Sequence, residues 1–141
     1  MFNFKVSKAI RELDEYQKIV DGFKAHKNGD TPAFLGRDVG YDHPDTPRLV
    51  REYLTHIHLC LPTDAHPQCW VYQPRVFRRV NSGNLPERDF ALIYWFQIET
   101  STFYLFDVIG PDAHNYQTWM PYLKSIAEQA QRIDLGSRAK V

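Results

Sequence analysis

Apolar residues recur early in the chain at Ala9, Ile10, Leu13, Tyr16, Ile19, Val20 and Phe23. Spacings of three and four put them on one face of a helix, so residues 7–27 are predicted helical. Ser7 supplies an N-cap, and Asn28-Gly29 supplies the stop. A short strand is predicted just before, over residues 2–6. Residues 30–47 (DTPAFLGRDVGYDHPDTP) mix Pro, Gly and Asp and read as an ordered surface loop with at most a helical turn. The second half of residues 49–61 reads as a strand. Residues 62–74 form another loop, residues 75–80 a short strand, and Asn81-Ser82-Gly83-Asn84 a turn. Residues 90–99 and 102–109 are apolar and aromatic on both faces, which places them centrally in a sheet. Only Thr100-Ser101 separates them, so an antiparallel hairpin is predicted. Trp119, Leu123, Ile126, Ala127, Ala130 and Ile133 mark a last amphipathic helix, with Pro121 in its first turn. The sum is an α+β fold: an antiparallel sheet of about four strands flanked by helices, as a single domain over residues 1–141.

Composition narrows the class. The chain has 141 residues, of which 43% are hydrophobic and 14% aromatic, enough to build a core without disulfides or metal. No apolar run approaches the ~18 residues of a membrane helix, and residues 1–16 lack the apolar centre of a signal peptide. A cytoplasmic protein with no membrane partner is expected, with Cys60 and Cys69 as free thiols. The 17 basic and 17 acidic side chains cancel, which argues against a strongly basic nucleic-acid binder. Their distribution is uneven. Acids crowd residues 12–21, whereas Arg75, Arg78 and Arg79 stand in a stretch with no acid between Ala65 and Asn84.

Candidate chemistry starts at His56-Ile57-His58. Alternate residues of a strand share a face, so the two imidazoles point the same way, with Cys60 next in line. Two such rings repel when both are protonated, which lowers one pKa and suits proton transfer near neutral pH. The plain alternative is a half-buried strand whose histidines bond to nearby carbonyls. The same spacing suits a metal, although no neighbouring H-E or C-x-x-C pattern supplies a third ligand. His114, in Gly110-Pro111-Asp112-Ala113-His114, falls just past a central strand, where functional side chains often lie; a helix-capping role explains it equally simply. Arg78 and Arg79, with Arg75 near, suit bidentate phosphate contact, or else a solvated charged face. Gly36-Arg37-Asp38-x-x-Tyr41-Asp42 reads as a salt-bridged loop, with RNA contact by Arg37 or Tyr41 as the alternative.

In order, the stretches FLGRDVGYD (residues 34–42), THIHL (55–59), FRRVN (77–81), ALIYW (91–95) and DVIGPDAHN (107–115) resemble the YafO family of type II toxins. The resemblance spans most of the chain, and GRD-x-x-YD followed by HIHL is its most specific part. It implies a ribosome-dependent messenger-RNA interferase restrained by a cognate antitoxin, distantly similar to RelE-type toxins, with no metal or other cofactor. Within that activity we assign the roles ourselves: His56, His58 and His114 carry the proton transfers and Arg79 stabilises the phosphate. Arg78, Arg75, Arg37 and Tyr41 contact RNA, and Asp38 and Asp42 hold the site together. Two other classes stay open: a ribosome-binding inhibitor that does not cut, and a metal-binding H-x-H enzyme. Residues 62–74 and 81–88 look longer than a minimal member needs.

Overall fold

The computed structural model describes residues 1–60, 70, 74–80 and 86–139. Among them run β1 (Asn3–Val6), α1 (Lys8–Arg11), α2 (Tyr16–Lys27), β2 (Leu35–Gly40), α3 (Arg48–Tyr53), β3 (Thr55–Leu59), β4 (Phe90–Gln97), β5 (Thr102–Ile109) and α4 (Tyr116–Ala139). The strands form one sheet in the order β1-β5-β4-β3-β2. β1 runs parallel to β5, and every other pairing is antiparallel. The α+β class is as expected, but the sheet is mixed and has five strands where about four antiparallel ones are predicted. The extra strand is β2, inside the segment that reads as a loop. Gly36, Asp38 and Gly40 weaken any intrinsic strand preference there, yet the ladder to β3 holds it, with Asp38 opposite Ile57 and Val39 opposite His56.

The hairpin of β4 and β5 lies at the centre, as its two apolar faces require. Leu92 and Tyr94 of β4, Ile57 and Leu59 of β3, and Phe103 and Leu105 of β5 pack with Ile19, Val20 and Phe23 of α2. Ala91, Ile93 and Trp95 of β4 face the other way and pack with Val50, Leu54, Leu123, Ile126, Ala127 and Ala130 beside α3 and α4. By the same alternation, His56 and His58 project to the α4 side while Ile57 faces α2. A bulge between Ile93 and Tyr94 shifts the β4–β5 register, so that Ile93 pairs with Asp107 and Tyr94 with Leu105. Ile109 then packs on the α4 side, and the chain leaves the sheet beside the histidines.

Four local predictions differ from the structure. The early helix is two helices, broken where Glu15 takes a left-handed φ of 61°. Ile10 and Phe23 are both fully buried, so a bent path keeps the predicted face, and periodicity cannot see the bend. Ser7 does cap α1, its hydroxyl accepting from the Ile10 N–H at 3.2 Å. α4 starts earlier than predicted, after Asn115, whose side-chain oxygen accepts from the Thr118 N–H at 3.3 Å, so Pro121 falls inside it. Residues 76–78 form a 3-10 turn in place of a strand. Cys60 is in a disulfide and not a free thiol; a compartment argument weighs whether such bonds survive, not whether two sulfurs meet. Cys69, the turn at residues 81–84 and residues 62–69 and 71–73 of the predicted loop lie outside the described residues.

On the α2 side, Asp38 ties sheet to helix. Its carboxylate accepts from His26 Nε2 at 3.0 Å, Lys27 Nζ at 2.7 Å and the Tyr94 hydroxyl at 2.6 Å. Burial would raise this carboxyl, but the His26 hydrogen bond, the Lys27 charge and the Tyr94 hydroxyl outweigh it and bring it to about 2. Because the folded value lies below the ordinary 3.8, the stabilisation is complete above that pH and fades as pH falls toward about 2. Asp38→Asn is expected to cost about 2 kcal/mol at pH 7 and roughly half that at pH 3. Urea denaturation of both forms at the two pH values checks this, and a gap that does not narrow on acidification contradicts it.

Candidate functional site

A cavity of about 440 Å³ opens on the α4 side of the sheet, lined by Arg37, Val39, Gly40, Asp42, His56, His58, Val80, His114 and Tyr116. Its floor is the histidine pair of β3. His56 and His58 are 4% and 3% exposed, and their ring centres lie 5.4 Å apart. Across the ladder His58 faces Ala91, whose small side chain leaves room above the sheet.

His114 arrives from the loop after β5, more than fifty residues further along the chain. Its ring stacks on His58 with centres 4.7 Å apart and 14° between planes, and lies 5.8 Å from His56. Asp89, just before β4, holds it there. The Asp89 carbonyl accepts from the Ala113 N–H at 3.0 Å. Its carboxylate accepts from the His114 N–H at 2.9 Å and from ring Nδ1 at 2.7 Å. This fixes the tautomer and presents Nε2. Gly110 makes the approach possible: at φ 140°, a Cβ there would sit 2.4 Å from the Phe90 ring and 2.7 Å from the Asp89 carbonyl oxygen.

Two further rings frame the cluster. Tyr41, 4% exposed, stacks on His56 with centres 4.2 Å apart. Tyr116 meets Tyr41 and His114 edge-on at 6.0 and 6.1 Å. Burial raises both phenols, so they stay neutral.

The histidines are electrostatically unusual. Burial, then the nearby His58 and His114, lowers His56 to about 3. Burial and His114 lower His58 to about 4, with Arg37 adding to the shift and Asp89 opposing it. Both rings are therefore uncharged at neutral pH. The Nδ1 atoms of both are buried with no hydrogen-bond partner. Burial would raise the Asp89 carboxyl, but the bonds from the His114 ring and backbone outweigh it and keep it ionised.

The predicted residues thus sort themselves. His56, His58 and His114 come together, with Arg37 and Asp42 exposed at the rim. Among the described residues Arg37 forms no salt bridge, so the predicted pairing with Asp38 or Asp42 is not made. Tyr41 backs His56 and offers no open face for a base. Asp38 faces the opposite side of the sheet. Arg75 and Arg78 are exposed on the 3-10 turn and do not line the cavity, Arg78 lying over Phe77 at 5.7 Å. Arg79 is 8% exposed, and its guanidinium donates to the carbonyls of Pro32 at 3.2 Å and Leu35 at 3.0 Å. Its own carbonyl accepts from the Arg37 N–H at 3.0 Å. Gly36 packs so tightly on it that a Cβ would lie 2.2 Å from that oxygen. Arg79 is therefore a strut that places Arg37, and the cation at the histidines is Arg37. Nothing in the sequence singles out Asp89 or Tyr116. An acid next to a strand start and a tyrosine at a helix start carry no local signal of the histidine they meet.

Among the described residues no helix is long and apolar enough to cross a membrane. The model of one protein family, described as toxin YafO of the type II toxin-antitoxin system, matches residues 21–133. No curated protein matches the chain.

Proposed function

The chain belongs to the YafO family of type II toxins, and from that premise we propose that it cleaves messenger RNA on the ribosome without a cofactor, its cognate antitoxin restraining it. The observation that carries this reading is the convergence of His58, His114 and Arg37 on one open cavity. RNA brings its own nucleophile, the 2′-hydroxyl. Cleavage needs a base for that proton, an acid for the leaving 5′-oxygen and positive charge beside the phosphate.

His58 is uncharged and takes the proton from the 2′-hydroxyl as the O2′–P bond forms. The P–O5′ bond breaks, and His114, doubly protonated for this step with Nδ1–H held by Asp89, gives its Nε2 proton to the departing oxygen. Arg37 meets the non-bridging phosphate oxygens at the rim, the role assigned in the sequence to Arg79. His56, backed by Tyr41, fixes the His58 ring from the side. Products are a 2′,3′-cyclic phosphate and a 5′-hydroxyl, and proton exchange with water resets the pair.

Among the described lining residues, Arg37 is the one guanidinium, and the whole chain has no net charge. Such a surface grips free RNA weakly, which supports dependence on the ribosome to hold message in line. Acting there, the toxin inhibits translation and works in the cytoplasm. Incubating purified toxin with programmed ribosomes and end-labelled message tests the chemistry. The expected products end in cyclic phosphate, and a single 2′-deoxy nucleotide at the cut abolishes cleavage there. Cutting that ignores the 2′-deoxy substitution contradicts the mechanism.

A further inference from the structure

One nitrogen from each of His56, His58 and His114 falls within 4.8 Å of the others. We propose that this cluster is also a binding site for a divalent transition ion of the zinc kind, and that ion and RNA exclude each other there. Three features point to it beyond the number of imidazoles.

First, His56 and His58 are more than nine-tenths buried, and each keeps an Nδ1 with no hydrogen-bond partner. A buried polar atom left unsatisfied is costly, and native structures rarely keep two side by side. Second, the Asp89 carboxylate accepts a hydrogen bond from the Nδ1–H of His114 at 2.7 Å. That pairing is the usual outer partner of a metal-bound histidine: it frees Nε2 as the ligand, orients the ring and raises its basicity. Third, the cavity before the rings leaves a fourth position open to solvent.

The donors also select the ion. Three imidazoles suit zinc, nickel or copper, whereas magnesium and calcium want oxygen. A tetrahedral ion with bonds of about 2.1 Å sets its ligands roughly 3.4 Å apart, so the rings draw together on binding. An ion held by His114 Nε2 excludes the proton that this atom gives to the leaving oxygen, and so silences cleavage. The binding stands without the cleavage reading; the silencing rests on it.

Zinc alone is the probe. Purified chain is titrated with zinc against a chromogenic chelator at pH 7.5, with folding of every variant checked by circular dichroism. The expected result is one zinc per chain. His58→Ala and His114→Ala each weaken binding at least tenfold. Asp89→Asn, which touches no ion, weakens it about 10- to 100-fold. His43→Ala, an exposed histidine outside the cluster, leaves it unchanged. Less than one zinc per chain, or unchanged affinity in folded His58→Ala, overturns the site. Cleavage that persists with zinc saturated overturns the silencing while leaving the site. Cleavage absent even in excess chelator counts against the RNA reading, and the titration still decides the site.

Discussion

His58→Ala lowers messenger-RNA cleavage by about 10²–10⁴-fold, the usual cost of losing a proton-transfer group, and the variant still folds and still binds antitoxin. His114→Ala loses a similar factor. The two losses do not multiply, because base and acid serve one transition state. The fold survives because the rings beside His58, those of His56 and His114, are themselves held by Tyr41 and Asp89. Among the described residues the His58 Nδ1 has no hydrogen-bond partner, and the apolar contacts of β3 lie on the opposite face, at Ile57 and Leu59. Growth arrest after induction, cleavage by purified protein and circular dichroism together check this. A folded double variant that stays fully toxic removes the histidines from the mechanism.

The second large effect is structural. Gly110→Ala is expected to destabilise the protein by about 3 kcal/mol or more, lowering Tm by roughly 10 °C. Two costs add. A φ of 140° is a conformation that side-chain-bearing residues rarely adopt, and the new Cβ would lie 2.4 Å from the Phe90 ring and 2.7 Å from the Asp89 carbonyl oxygen. Neither neighbour can step aside, since Phe90 begins β4 and the Asp89 carbonyl accepts from Ala113. The relief available moves Asp89, and with it His114, so activity falls with stability. Gly29→Ala is the control: φ is 90° there too far left-handed for comfort, but nothing lies within 4 Å of a Cβ, so backbone strain alone remains. Equal Tm losses in the two variants contradict the packing argument.

What could be read from the sequence follows the range of the interactions involved. The β4–β5 hairpin and the face of α4 are set by local periodicity and short turns, and both appear as expected. The shared face of His56 and His58 follows from strand alternation alone. Their meeting with His114 rests on the chemistry that cleavage needs, since nothing local links residues so distant. Asp89 carries no local signal because its role is a hydrogen bond to a residue 25 positions away. The arginines mislead for a related reason. Three cations in an acid-free stretch read as one exposed face, but the 3-10 turn at Val76–Arg78 precedes Arg79 and its side chain goes inward to carbonyls of the β2 segment. β2 itself is held by its ladder against its own composition. β1, too short to show a period, owes its parallel pairing to β5.

Transcript-end mapping after induction tests the central claim most directly, in cells expressing either the wild type or His58→Ala/His114→Ala. The account predicts new 5′ ends inside coding regions with the wild type and none with the double variant. Ribosomes stalled on intact message in wild-type cells, or the same new ends in both, would contradict it.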